Sequence, residues 1–208
     1  MDFVENVGRR KRVVGEKDEF INVGIFSLNG YEHKGLFHNL GNGKFIDVGY
    51  LAGVDRLEDG RGLGVLDADG DGRLDLLSNN YLQPARLLMN RSPGGNHWLR
   101  LKLEGTRSNR SAIGARVVAY HGERKVGREV MSTAGYLSGQ SLILHLGLGQ
   151  DAAADRLAVY WPSGLRQEFK DVPADAFYRI VEGNPALSLM FPEKLEPAAP
   201  VPSSAGGK

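Results

Sequence analysis

The chain of 208 residues contains no cysteine. A disulfide framework, a cysteine nucleophile and cysteine-ligated zinc are therefore excluded. The sequence also lacks an excess of charge, since its formal net charge is +1 at pH 7, and this balance does not draw the chain to nucleic acid. No apolar run approaches the roughly 18 residues that a membrane span needs. We therefore expect neither a nucleic-acid partner nor a membrane span.

The two ends of the chain lack the patterns of export and of folding. The start, MDFVENVGRRKRVVG, has no apolar core like that of a signal peptide, and we interpret residues 1–17 as a solvated basic segment. Residues 186–208 are rich in Pro, Ala, Ser and Gly, which predicts a flexible tail. Either the export signal lies outside this sequence or the protein stays inside the cell. The calcium argument below favours export.

Glycine, by contrast, is abundant, with 28 among 208 residues against a usual share of about 7%. This abundance predicts many tight turns. Between them, Leu99, Leu101 and Leu103 alternate with charged residues, which is the period of a half-buried strand. Strand-like runs also lie at residues 115–120, 141–147, 156–161, 166–169 and 177–181. We predict an all-β fold with a small antiparallel β-sandwich at 96–185, and only weak helical signal at 151–156 and 173–177.

The N-terminal half contains an internal echo. The run LFHN at 36–39, followed by Gly41-Asn42-Gly43, is answered 51 residues later by LLMN at 87–90. A period near 50 is typical of a β-propeller blade, and about three such units are needed to bury their apolar faces. We therefore expect residues 18–95 to form a propeller-blade-like unit. It must pack on the sandwich, on a second copy of the chain, or on propeller repeats missing from this sequence.

The sharpest motif is the loop D-A-D-G-D-G-R-L-D at 67–75. Calcium takes about 6–8 oxygen ligands, so a short loop that binds it must direct several carboxylates to one point. The predicted ligands are four side chains and one main-chain carbonyl: Asp67, Asp69, Asp71 and Asp75, and the carbonyl of Arg73. The cationic side chain of Arg73 is expected to point outward. We predict one bound Ca²⁺ here.

Other interpretations of this loop fit the residues less well. An EF-hand needs Glu at its twelfth position and helices on both sides, whereas this position is Ser78 and both flanks are strand-like. A surface turn without metal would leave four crowded carboxylates to repel one another. Magnesium rarely uses an all-protein cage.

The order of motifs resembles a known family. The strand, calcium loop and strand, with the L-F-x-N and G-N-G-x-F elements, resemble the FG-GAP, or VCBS, repeat of integrin-type β-propellers. The stretches NHWLRLKLEGTRSNRSAIGARVVAY, REVMSTAGYLSGQSLILHLGLG and DRLAVYWPSGLRQEF resemble the ASPIC/UnbV domain of the cartilage acidic protein family. The resemblance covers about residues 35–183 and implies a calcium-bearing propeller followed by a small β-domain, in proteins that are generally exported. Because little more than one repeat is present, we expect a truncated chain or a reduced member.

No arrangement of residues predicts a catalytic centre. Ser138, His145 and Asp155 could be chosen as a triad, but the G-x-S-x-G elbow is absent. We assign no catalytic residue and interpret the histidines as surface or satisfied core side chains. A catalytic or accessory domain of an extracellular carbohydrate-active or oxidative enzyme remains the alternative.

Aromatic side chains supply candidate contact surface. Trp161 shares a predicted strand face with Leu157 and Val159 and is expected in the core. Tyr136 lies in a glycine-flanked loop and is the candidate ligand contact. The sequence therefore predicts a calcium-dependent structural or binding function in an extracellular or periplasmic location, with a protein or glycan partner.

Overall fold

The fold is all-β in a computed structural model that describes residues 32–133, 135–136 and 138–190. The predicted basic segment 1–17 and residues 191–208 of the predicted tail lie outside this range. The helical signal at 151–156 and 173–177 is wrong. Residues 153–160 form a strand in which Ala154 is fully buried and pairs with Val172, so sheet packing overrides the local preference. None of the described residues belongs to a helix that could cross a membrane.

Thirteen strands follow one another along the described residues. Their bounds are β1 Phe37–Asn39, β2 Phe45–Asp47, β3 Gly60–Leu66, β4 Asp75–Asn80, β5 Arg86–Leu88, β6 His97–Glu104, β7 Arg116–His121, β8 Arg124–Glu129, β9 Leu144–Gly149, β10 Ala153–Tyr160, β11 Arg166–Pro173, β12 Ala176–Val181 and β13 Ser188–Leu189.

The last eight strands form two four-stranded sheets around one core. The first sheet has the order β11-β10-β7-β8 and the second has the order β13-β12-β6-β9. Alternation directs Leu99 and Leu101 of the second sheet and Leu157 and Val159 of the first into one buried cluster. Trp161 belongs to the same cluster, as predicted. The arrangement is consistent with the predicted β-sandwich.

One strand pair departs from the antiparallel prediction. β6 runs antiparallel to β9 on one side but parallel to β12 on the other. Between Pro173 and Ala176 the chain crosses from the first sheet to the second, and β12 then enters beside β6 in the same direction. Apolar alternation reports the period of a strand but not its direction, so the sequence pattern could not reveal this pair.

The chain divides into two compact units. Among the described residues the first unit comprises 32–61 and 79–85 and contains the β1–β2 hairpin. The second unit comprises 62–78 and 86–190 and contains the loop 67–75 together with both four-stranded sheets. The predicted domain boundary between residues 95 and 96 remains a prediction.

The internal echo corresponds to a repeated local structure. Asn39 at the end of β1 accepts a hydrogen bond from the Gly41 N–H at 2.8 Å. Asn90, just after β5, accepts the same type of bond from the Ser92 N–H at 3.0 Å. Both strands therefore end in an Asx turn, in which the side chain bonds the backbone two residues on.

Candidate metal centre

The loop that connects β3 and β4 gathers three carboxylates. Asp67, Asp69 and Asp71 each place a carboxylate oxygen within 4.8 Å of the other two. The fourth predicted carboxylate, that of Asp75, lies outside this group. The structure therefore brings together three of the four predicted carboxylate ligands.

Backbone hydrogen bonds to the aspartates shape the loop. Asp67 accepts the N–H of Gly70 at 2.8 Å and that of Gly72 at 3.2 Å, while Asp71 accepts the Arg73 N–H at 2.8 Å. Gly70 and Gly72 have φ values of +76° and +86°, a conformation that side chains rarely adopt. The alternation of Asp and Gly thus creates a turn that brings the carboxylates towards one another.

Asp75 closes the loop at its base. Its side chain is 1% exposed, and its two oxygens accept the N–H groups of Ala68 at 2.8 Å and Asn90 at 2.7 Å. An ionised carboxylate has further lone pairs, so Asp75 remains a candidate ligand. Its observed contacts hold the two ends of the loop together.

Three arginines lie against the clustered carboxylates. Arg100 approaches Asp67 at 3.2 Å, Arg91 approaches Asp69 at 3.0 Å, and Arg73 pairs with Asp71. The Arg73 side chain therefore does not point outward as predicted; it also donates to the Asn90 carbonyl at 2.8 Å. Its carbonyl remains the predicted main-chain ligand. Because guanidinium groups balance the loop charge, repulsion among the aspartates is a weaker argument for a metal than the sequence suggested.

The loop rests on the outer face of the second sheet. A Cβ added at Gly72 would overlap the indole of Trp98, so only glycine fits at this approach. Arg100, which contacts Asp67, also lies 4.8 Å from the centroid of the Phe177 ring. Alternation in the sequence predicted that Arg100 lies on the strand face opposite the core leucines, but it does not reveal what that face contacts. The loop is thus supported by the sheet on which it lies.

His145 lies on the same face of the sheet. The prediction that its hydrogen-bonding groups are satisfied does not hold for one ring nitrogen. Its ring stacks on Trp98 with centroids 5.9 Å apart and an interplanar angle of 16°. Its Nδ1 atom is buried without a hydrogen-bond partner. Burial lowers the pKa of the imidazole, while the charge of Asp67 opposes this shift. The ring therefore packs against Trp98, the residue that Gly72 of the loop approaches.

These donors fit a hard divalent cation. Carboxylate and carbonyl oxygens are the ligands that calcium prefers, and water completes its shell where the protein offers too few. The convergent Asp67, Asp69 and Asp71 would supply the side-chain oxygens, with the Arg73 carbonyl and Asp75 as further candidates. Such an ion would supply positive charge in the loop.

The candidate contact Tyr136 lies at an exposed position, with 76% of its surface accessible. Two neighbours fix this part of the loop on the free edge of β3. Ser138 accepts the Leu63 N–H at 3.0 Å. Gln140 accepts the Val65 N–H at 3.0 Å and donates to the Leu63 carbonyl at 2.8 Å. The loop is therefore tied to β3 close to Tyr136.

The residues chosen as a triad do not form one. Ser138 bonds the backbone of Leu63 and Tyr136, and Asp155 contacts His121 and the Gly122 N–H. No hydrogen bond joins Ser138, His145 and Asp155 in the part of the chain that the structure describes. Their arrangement gives no support to nucleophilic catalysis.

Comparison with known proteins identifies the C-terminal part of the chain. Residues 105–186 match the family described as ASPIC and UnbV. Cartilage acidic protein 1 of Mus musculus is 43% identical over 72 residues, and that of Homo sapiens is 41% identical over 72 residues. Each match covers 34% of this chain and 11% of the relative, so the similarity concerns a small part of those proteins. Residues 105–186 thus form an ASPIC and UnbV domain, and a stretch of 72 residues of the chain is similar to part of cartilage acidic protein 1.

Proposed function

We propose that this chain is a calcium-binding structural or binding module that acts outside the cytoplasm, with a protein or glycan as its partner. The observation that carries the proposal is the convergence of three carboxylates within 4.8 Å in a loop between two strands. The loop is held by backbone bonds and packs on a sheet, so its geometry is set before any ion binds. Preorganised oxygen donors of this kind favour calcium.

The ion would have a structural rather than a catalytic role. Calcium in a carboxylate cage leaves little room for substrate, and the described residues near the loop include no base positioned on a nucleophile. Among the carboxylates' neighbours, the arginines stabilise charge and Trp98 provides packing. The enzymatic alternative has no comparable observation in its favour.

The proposed location follows from calcium concentrations. Extracellular calcium modules bind with dissociation constants of about 10⁻⁴ to 10⁻³ M. A site of this affinity is filled substantially at millimolar calcium and hardly at all at submicromolar calcium. The relatives are named for cartilage, which agrees with a role outside cells. The FG-GAP-like character of residues 18–95 is part of the same proposal and is supported by the repeated Asx turns.

Thermal melting tests the proposal directly. Calcium at about a hundredfold excess over its dissociation constant stabilises the folded chain by about 2.7 kcal/mol, and the melting temperature rises by several degrees. Asp69→Ala combined with Asp71→Ala removes two ligands and abolishes the rise. Magnesium at equal concentration does much less, because it needs nearly ideal octahedral geometry.

The matched control is Glu123→Ala with Glu129→Ala, which removes two exposed carboxylates outside the loop. This variant retains the response to calcium. Equal melting temperatures of the unaltered chain with calcium and with chelator would overturn the calcium proposal.

A further inference from the structure

The outer face of the first sheet contains a low central row between two taller rows. Strand register places Val118 between Gly127 and Ala158. Val118 and Ala158 are 5% and 0% exposed although they point away from the core, because long neighbours flank them. The flanking rows are Arg166, Tyr160, Arg116 and Glu129 on one side, and Lys170, Arg156, Tyr120 and Lys125 on the other.

The charge on this face is positive and uneven. Its five cationic and two anionic side chains leave a net charge of +3. Arg156 and Arg166 both bond Glu168, so these two guanidinium groups share one carboxylate on the β10–β11 side. Arg116 and Lys125 form no ion pair with a carboxylate within the described ranges. Lys170 on β11 has no such pair either, so Arg116 and Lys125 on β7 and β8 supply two of the three unpaired cations among the described residues of this face.

A groove of about 350 Å³ lies at this unpaired charge. We call it the basic groove, and it is lined by Arg116, Val118, Lys125, Gly127, Arg128 and Glu129. The two flanking rows are four residues apart along each strand, which places their Cα atoms about 13 Å from each other. Of the central row, Val118 and Gly127 line the groove, with Arg116 on one side of it and Lys125 on the other.

We propose that the basic groove binds an acidic polysaccharide, which names the partner class within the proposed function and rests on its binding role. Sulfate or carboxylate groups on either side of such a chain pair with Arg116 and Lys125. The apolar floor at Val118 accepts the C–H face of a sugar ring. Tyr120, with Arg156 stacked 3.8 Å from its ring centroid, adds an aromatic wall.

The same geometry disfavours an acidic peptide. An extended peptide gains affinity by adding its backbone to a free strand edge. The groove floor lies instead over the face of the β7–β8 pair and not along the outer edge of β8, and the backbone groups that β7 and β8 turn towards each other are already bonded. A peptide there would leave its own N–H and C=O groups without protein partners, whereas a polysaccharide has no such backbone to satisfy.

Binding of a sulfated glucan oligosaccharide to the full chain, measured by titration calorimetry, tests the proposal. Arg116→Glu with Lys125→Glu lowers the affinity about tenfold or more, since two attractive contacts become repulsive. Added salt weakens binding to the unaltered chain by screening. Lys44→Glu with Arg110→Glu makes the same change in net charge at exposed positions outside the groove and alters the affinity by less than about twofold.

A second variant fills the groove without changing its charge. A Cβ at Gly127 meets the Val117 carbonyl at 3.6 Å and the Val118 Cγ2 atom at 3.8 Å, which are ordinary contacts. Gly127→Leu is therefore expected to fold, which circular dichroism checks, and to lower the affinity several-fold. Unchanged affinity in this variant would overturn the groove as the binding site.

The probes decide the partner class. Unsulfated glucan of equal length, poly-glutamate and a single-stranded oligonucleotide are expected to bind at least about tenfold more weakly than the sulfated glucan. Equal binding of any one of them overturns the proposal. The two proposals fail separately. Equal melting temperatures with calcium and with chelator would overturn the calcium proposal alone, whereas glucan binding below the melting temperature is expected to be the same under both conditions.

Discussion

The two compact units of the chain place their large apolar side chains differently. In the first unit, Phe37, Phe45 and Ile46 of the β1–β2 hairpin are each more than half exposed. Tyr50 and Leu51, which follow the hairpin, are both 84% exposed. Every large hydrophobic side chain that is buried among the described residues lies instead between Leu99 and Ile180, in the second unit.

This contrast shows that forming strands is not sufficient to form a buried core. A two-stranded hairpin satisfies backbone groups but supplies one layer, and a core needs two. The second unit has two sheets whose leucines and valines meet in one cluster. Exposed apolar surface of the kind that the first unit carries is typical of a repeat that packs on a neighbouring unit.

The largest expected effect comes from shortening a side chain in the core of the second unit and comparing it with an exposed side chain of the first unit. Leu157→Ala removes a fully buried side chain and is expected to lower the free energy of unfolding by about 2–5 kcal/mol. Phe45→Ala, at a side chain that is 61% exposed, is expected to change it by less than about 0.5 kcal/mol. Urea denaturation measures both. Similar losses in the two variants would contradict the contrast between the units.

A buried carboxylate is the polar counterpart of this core. Glu182 is 3% exposed, and one of its oxygens accepts the N–H groups of Thr106, Arg107 and Ser108 at 2.8, 2.7 and 2.7 Å. The other accepts the hydroxyls of Ser108 and Ser163 at 2.9 and 2.5 Å. Burial alone would raise the pKa of Glu182, but these bonds lower it from 4.5 to about 2.

Glu182→Ala removes the acceptor of three part-buried N–H groups and is expected to cost about 2–4 kcal/mol. Because the folded pKa is depressed from 4.5 to about 2, the charge stabilises the fold fully above pH 4.5, and this contribution is lost as the pH falls toward 2. Glu182→Gln has no such titration, so its melting temperature falls less over that range. Parallel pH profiles for the unaltered chain and Glu182→Gln would contradict this assignment.

The features that the sequence predicted correctly are those that leave a pattern in neighbouring residues. Alternation at Leu99, Leu101 and Leu103 predicted both the strand β6 and its buried face, and the spacing of aspartates predicted the loop. The charged edge strand β8 was missed because it lacks apolar alternation.

Long-range contacts left no local signal at all. The parallel pairing of β6 with β12 depends on topology. The backbone N–H groups that donate to Glu182 belong to residues 74 to 76 positions earlier. Arg91 approaches Asp69 over a separation of 22 residues. Sequence pattern reports period and loop chemistry, whereas partners distant along the chain are set by the tertiary fold.

The next expected effect tests whether the loop 67–75 shares the packing of the second unit. Gly72→Ala combines a left-handed conformation with overlap against Trp98 and is expected to cost about 2–4 kcal/mol. Gly70→Ala is the matched control, because its φ is similarly positive but no atom lies within 4 Å of the added Cβ. It is expected to cost about 1–2 kcal/mol. Equal losses in urea denaturation would mean that the loop does not rest on Trp98.

The smallest expected effect concerns the solvent side of the same loop. Arg91 pairs with Asp69 at 3.0 Å, and its side chain is 66% exposed. Its positive charge opposes a cation bound by Asp69, so Arg91→Gln is expected to tighten calcium binding by at most about fivefold, the range of exposed ion pairs. Titration calorimetry at low salt measures the gain, which shrinks as added salt screens the charge. Arg110→Gln removes an exposed arginine elsewhere and leaves the affinity unchanged. Weaker calcium binding in Arg91→Gln would show instead that this arginine holds Asp69 in position for the ion. Calcium binding would then depend on side-chain contacts on the solvent side of the loop as well as on the side that packs on Trp98.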